Sequence, residues 1–291
     1  MFEKLSEDNS QIIVTTHSPY FVSGKNFEGV RVVRRGLDDN RANIRQYSYA
    51  ETAARFATVV GEPLRQDSAI LSKVHQALQP ALNEMFFTQR LILVEGIEDR
   101  AYIHSWLVLT DRWESYRRSG CHIVPTNGKS EMIRPAIIAK GLGIPVFAVA
   151  DADGDKIEKS ENRTRHHRDN IALLRLFKGD EGDVFPVATI WLDNLAFWPS
   201  NLADTIEREF IAALGVQGAD RFEDMRNRAS AMCGNAGDLG KNEVYIGNLL
   251  ALLKEAGATS NSLERLCERI IAFGTVGAAK PEPEAPGSLF S

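Results

Sequence analysis

Two stretches decide the fold: Leu91–Asp99, LILVEGIED, and Pro145–Asp155, PVFAVADADGD. Each opens on an uninterrupted apolar run, the pattern of a strand covered on both faces. Each closes on acids at the strand's carboxyl end: Glu95 and Asp99 after the first run, Asp151 and Asp153 after the second. Between them, Cys121–Val124 predicts another strand, ending in the turn Pro125–Gly128. Helical spacing over 97–110 and 130–141 fills the gaps, with Gly141 placed as a helix cap. A helix at about 168–178 and a fourth strand, Val187–Leu192 (VATIWL), follow. This alternation predicts an α/β fold of right-handed βαβ units on a parallel sheet, whose ligands bind at the carboxyl ends of the strands.

Outside this core, Gln11–Thr16 (QIIVTT) predicts a buried strand, closed by His17, Ser18 and Pro19. The runs Val30–Arg34 and Ile44–Tyr49 predict a small hairpin or sheet edge. So few strands cannot bury a core alone, so this piece either packs on the rest or lacks its partners. Residues 51–90 are helical in character, with Leu64, Ile70, Leu71, Val74, Leu78, Leu82 and Phe86 at helical spacing and breaks at Pro63 and Pro80. Residues 200–235 also read as helix, most clearly over 201–214. A Gly-rich turn, Gly234–Gly240, precedes helices at about 242–256 and 261–273. The tail 274–291, rich in Pro, Gly and Ala, is expected to be disordered.

The chain has 291 residues, 44% hydrophobic and 25% charged, the balance of a globular protein and not of a fibrous or disordered one. No window approaches the ~18 consecutive apolar residues of a membrane span. The start, MFEKLSEDNS, has no apolar core of a secretory signal. Three scattered cysteines without a CxxC pair argue against a disulfide scaffold and for a reducing compartment, so a cytoplasmic location is expected. A net charge of −5 gives no global attraction to nucleic acid. It leaves open nucleases that cut with metal ions, because those need clustered carboxylates.

The two acidic motifs carry the chemistry. Glu95 and Asp99 can share one side of the first helical turn, and Asp151 and Asp153 alternate at a strand end, so both pairs can converge at one sheet edge. Four clustered carboxylates repel one another unless a cation joins them. Hard oxygen donors suit Mg²⁺, Mn²⁺ or Ca²⁺ rather than zinc. Two such ions about 4 Å apart would steady the attacking and leaving oxygens of a phosphoryl transfer. Each motif also has a plainer reading: E-G-x-x-D caps helices, and DADGD is at home in a solvated loop. DADGD is not a calcium-binding EF-hand, since positions six and twelve are Lys156 and Asn162.

LILVEGIED followed by PVFAVADADGD resembles the Toprim domain, in which a Glu follows the first strand and a DxD the third. The upstream TTHSP resembles the H-loop of ABC-type ATPases, whose His senses the nucleotide γ-phosphate. This order resembles that of the OLD (overcoming lysogenization defect) family nucleases, over residues 10–275. The resemblance implies a Toprim-type parallel sheet flanked by helices, and an Mg²⁺- or Mn²⁺-dependent DNA endonuclease or nickase with two ions per site. Ca²⁺ could substitute in binding. Carried over by position, Glu95 and Asp99 would hold one ion and Asp151 and Asp153 the other, with Glu98 an unplaced acid beside them. The family's late lysine matches Lys241 best, with Glu243 two residues on as a further metal ligand.

The implied organisation is 1–50 as terminal strands of an incomplete ATPase domain, 51–89 as a helical linker and 90–198 as the Toprim core. A helical insertion (199–240), returning helices (241–273) and the tail (274–291) complete it. No Walker A sequence is present: Asn127–Ser130 (NGKS) has Ile123 where the first glycine is required. The chain is thus expected to be the C-terminal part of a longer protein that dimerises through the ATPase domain, this part being monomeric without ATP hydrolysis of its own. Lys129 is placed to reach a phosphate, or to sit in a plain solvated turn. Arg163, Arg165 and Arg168, on a mobile loop after the DxD, are candidates for the DNA backbone, or for a solubilising loop. His166 and His167 lack companions for a metal site. Trp191, Trp198, Phe197 and Phe210 read as core. Two rivals remain: a non-catalytic Toprim module that binds DNA, and a topoisomerase, for which Tyr245 or Tyr102 would have to be the nucleophile.

Overall fold

The computed structural model describes residues 11–35, 41–63, 72–74, 76, 78–158, 160–234 and 240–275. Strands β1 (Val32–Arg35) and β2 (Ala42–Arg45) form the expected antiparallel hairpin, Val32 opposite Arg45. Helix α1 (Tyr49–Val60) follows. Ser48 and Glu51 cap it reciprocally: the Glu51 N–H donates to Ser48 Oγ (3.1 Å) and the Ser48 N–H to Glu51 Oε2 (2.7 Å). A helical turn, Pro80–Asn83, leads to β3 (Arg90–Val94), α2 (Ile97–Leu109) and the short α3 (Trp113–Arg118). Then come β4 (Cys121–Pro125), α4 (Lys129–Gly141), β5 (Val146–Asp151), α5 (Ser160–Phe177), β6 (Ile190–Leu192) and β7 (Leu195–Trp198). The chain closes with α6 (Leu202–Ala213), α7 (Gly218–Met232), α8 (Glu243–Glu255) and α9 (Asn261–Thr275).

The main sheet has the order β4-β3-β5-β7-β6, parallel except for the edge strand β6. The apolar runs are buried on both sides by alternation. Leu91 and Leu93 of β3 face one core, with Ala148, Leu195, Phe197 and residues of α4 and α5. Ile92 and Val94 face the other, with Phe147, Val149, Trp198 and residues of α2, α6, α8 and α9. Helices on both faces are what a continuous apolar strand requires. The chain leaves β3 towards one face and β5 towards the other, so the carboxyl ends of these adjacent strands flank a crevice, the usual ligand position in such sheets. Among the described residues, no helix is long and apolar enough to cross a membrane.

Several expectations change. Gln11–Ser18 has no regular secondary structure, and Ile13 is 80% exposed. A strand needs a ladder partner, and none lies beside this run among the described residues. The fourth strand is shortened to Ile190–Leu192, with Val187 exposed, and it turns through Asp193 and Asn194 into β7. It is β7 that pairs parallel with β5. Two turn-forming residues between short apolar runs are the sequence signal of this hairpin. Residues 200–235 divide into two helices around Gly215, whose φ of +72° places it in the left-handed region. Gly141 lies inside α4 and Leu142 caps it. Phe197, Trp198 and Phe210 are core, as expected, and Trp191 is partly buried against it. Of the helical linker, Val74, Leu78, Leu82 and Phe86 are buried. Leu64, Ile70, Leu71, residues 235–239 of the Gly-rich turn and the tail from 276 lie outside the described residues.

Candidate active site

The site is built from three strand ends. Glu95 follows β3, Asp151 ends β5, and residues 126–128 follow β4, all on the carboxyl edge. The turn after β4 needs unusual backbone: Asn127 has φ +61° and Gly128 φ +116°, a conformation a side chain would resist. It is tied to the β3 end, since the Gly128 N–H donates to the Glu95 carbonyl (2.9 Å) and Thr126 Oγ1 to the Val94 carbonyl (3.0 Å).

Backbone amides orient the acids. The Asp151 N–H donates to Glu95 Oε1 (2.8 Å), which joins the two strand ends through a side chain. The Gly96 N–H donates to Asp99 Oδ2 (2.9 Å), so the capping role weighed for Asp99 is real. The Leu202 N–H, at the start of α6, donates to Asp151 Oδ1 (3.2 Å). Glu95, Asp99 and Asp151 thus gather at one edge, Asp99 buried and the other two half-buried. Burial pushes Glu95 up to about 7 against the pull of Lys129, and pushes Asp99 up to about 7 against the Gly96 N–H. Burial, then the charges of Glu95 and Asp99, raise Asp151 well above its ordinary value. Three clustered acids that resist ionising together are short of positive charge.

Asp153 differs. Its φ is +53°, in the left-handed region that Asp tolerates better than most residues. The turn packs closely on the chain after β7: the Gly154 N–H donates to the Pro199 carbonyl (2.9 Å), and a Cβ on Gly154 would stand 2.9 Å from that oxygen. Lys129 Nζ lies 2.8 Å from Asp153 Oδ2 and also donates to the Asp151 carbonyl. Lys156 Nζ is 2.6 Å from Asp153 Oδ1. Burial works against the Asp153 carboxylate, but Lys129, ahead of Lys156, outweighs it and holds the group below its ordinary value.

The expectation for Lys129 therefore changes. Lys129 is 4% exposed and turned inward onto the DxD, so it is not presented to a DNA phosphate. The basic run is also not on a loop, because it lies in α5, with Arg163 and Arg165 exposed. Arg168 is engaged with Asp169 (2.7 Å) and Glu62 (3.6 Å), which reduces its availability to DNA. His166, also in α5, is buried with Nδ1 3.1 Å from Asp153 Oδ2, off the direction of a hydrogen bond. Two further residues of α5, not singled out by any motif, support the site. Asp169 accepts from Ser130 Oγ, and Asn170 Nδ2 donates to the carbonyls of Ala152 and Val184 (2.9 Å each). Polar residues at 166, 169 and 170 on one otherwise apolar helix face were the available signal.

Lys241 is exposed, just before α8. Glu243 does not join the acids: it pairs with Arg100 (2.7 Å). That pair brings the start of α8 to the first turn of α2, next to Asp99. Tyr102 and Tyr245 suit a nucleophile poorly. Tyr245 is buried, and burial, then Tyr245, raises the Tyr102 hydroxyl far above its ordinary value.

By charge and donor type, Glu95, Asp99 and Asp151 fit a hard divalent cation, whose charge would relieve their mutual repulsion. Among the described residues, no three His, Cys, Asp or Glu side chains stand, as placed, in a group that could hold a metal ion, so binding would need these side chains to turn towards it.

Residues 86–153 match the family described as Overcoming lysogenization defect protein-like, TOPRIM domain. The chain is also 29% identical over 180 residues to the OLD nuclease of Thermus scotoductus (strain ATCC 700910 / SA-01). That match covers 58% of this chain and 30% of the relative, so the chain spans well under half of that protein's length. The parallel sheet, the acids at its carboxyl edge and both matches agree: residues 86–153 are an OLD-like Toprim domain, in a chain related to OLD nucleases.

Proposed function

We propose that this chain is the catalytic region of an OLD-family DNA nuclease that hydrolyses phosphodiester bonds with Mg²⁺ or Mn²⁺. One observation carries the reading: buried Asp99 and half-buried Glu95 and Asp151 lie at adjacent parallel strand ends, with their carboxyl groups pushed up by loss of water and by one another. Such an arrangement opposes folding unless a function retains it. These residues would hold the ion, which when bound supplies an activated water and offsets charge building up on the phosphate. Backbone amides fix the carboxylates beforehand. Lys241, near the first turn of α2, is the candidate to face the scissile phosphate, while Arg163 and Arg165 suit the DNA backbone. The two-ion site that the motif implies would also require Asp153. Nicking versus double-strand cleavage, the domain division and dimerisation through an ATPase module belong to this proposal as expectations.

The second reading is a Toprim module that binds DNA without cutting it. It is favoured by Asp153 being occupied by Lys129 and Lys156. Supercoiled plasmid incubated with the chain and Mg²⁺, Mn²⁺, Ca²⁺ or chelator separates the two. Nicked or linear product with Mg²⁺ or Mn²⁺ alone supports the nuclease, and DNA retention without product supports the binding module.

A further inference from the structure

Lys129 is an unusual residue to find inside this site. It is 4% exposed, stands in the first turn of α4, and reaches under the β5 end to Asp153. A lysine near a helix N-terminus is disfavoured by the helix dipole, and burying its ammonium costs more. A close carboxylate offsets both, and Asp153 Oδ2 at 2.8 Å is that group. Asp153 Oδ1 faces Lys156 at 2.6 Å, so both of its oxygens are occupied by ammonium groups. Asp153 is also fixed by its backbone, because its N–H donates to the Ser200 carbonyl (3.3 Å).

The charges of the set point the same way. Glu95, Asp99, Asp151 and Asp153 face Lys129 and Lys156. Lys156 is half exposed and screened by water, so Lys129 is the buried cation, paired with Asp153, and Glu95, Asp99 and Asp151 keep an excess of negative charge that a divalent ion would offset.

We propose that Lys129 is the resident cation of this site, holding Asp153 as its counter-ion, so that Glu95, Asp99 and Asp151 take a single divalent ion. Lys129 is a positioning residue here. It joins the turn after β4 to the turn after β5 and occupies the place where the motif would put a second ion. The inference rests on the metal-dependent reading above, and its test reads the ion directly.

The test has two parts. Crystals of the chain with Mn²⁺ and a short DNA duplex should show one anomalous peak, beside Glu95, Asp99 and Asp151, with Lys129 Nζ still on Asp153. Electron paramagnetic resonance titration of the free chain should count one tightly held Mn²⁺ in the wild type and in Lys129→Arg. It should count two in Lys129→Met, where Asp153 Oδ2 is freed and only the half-exposed Lys156 remains, on Oδ1. A second peak bound by Asp153, with Lys129 displaced, overturns the inference and leaves the nuclease reading standing. No ion bound by any form overturns the nuclease reading itself. Should Lys129→Met fail to fold, the wild-type peaks decide.

Discussion

Asp99→Asn should stabilise the metal-free protein, and the gain should grow with pH. Asp99 is 6% exposed, and burial raises its carboxyl from 3.8 to about 7. Its folded value lies above its unfolded value, so its contribution to stability is intact below about 4 and is lost as the pH rises through 7. At about 1.4 kcal/mol per pH unit, a group acting alone would lose on the order of 4 kcal/mol across that window. Glu95 and Asp151 share the repulsion, so one substitution recovers only part of it, about 1–3 kcal/mol. Asparagine keeps the oxygen that accepts from the Gly96 N–H at 2.9 Å, so the helix cap survives and the charge is the main change. Urea unfolding in chelator at pH 5, 6, 7 and 8, wild type against variant, measures it. Curves that stay parallel, with no pH-dependent separation, refute the reasoning. With Mn²⁺ present the order should reverse at pH 8, because the wild type gains stability from the bound ion and the variant gains less.

Other outcomes follow from the same structure. Phe147→Ala, which empties a fully buried ring site in the sheet, should cost about 3–5 kcal/mol by urea unfolding. Arg163→Ala with Arg165→Ala should weaken DNA binding on all sequences alike and reduce the salt slope by about two, measured by fluorescence anisotropy over a salt series. Lys241→Ala should lower the cleavage rate ~10²-fold or more while leaving Mn²⁺ binding unchanged, as for loss of one preorganised donor. Wild-type cleavage by that variant would move the catalytic cation elsewhere.

The legible parts of the fold were those set by patterns of single residues. Continuous apolar runs at 91–94 and 145–150 announced buried parallel strands, and the acids that follow them landed at one edge, as the topology requires. What escaped depended on partners far away in the chain. Gln11–Thr16 has the composition of a strand, but composition supplies no neighbour to pair with. Leu195–Trp198 is only four residues long, and its place beside β5 is a long-range choice. In the site, Asp151 and Asp153 were indistinguishable by sequence. Their environments differ because Lys129 comes from another turn and points inward, a direction that no spacing rule contains. Glu243 looked like a spare ligand until Arg100, 143 residues away in sequence, took it.

One comparison decides whether the acids at the β3 and β5 ends hold the ion that cuts DNA. Plasmid cleavage rates are measured at saturating Mn²⁺ for the wild type and Asp151→Asn, with thermal melts in chelator confirming that both are folded. Nicked or linear product is expected from the wild type, none in chelator, and none from Asp151→Asn at any Mn²⁺ concentration. Asp151→Asn cutting at the wild-type rate, or a wild type that binds Mn²⁺ and DNA together and leaves the DNA intact, would contradict it.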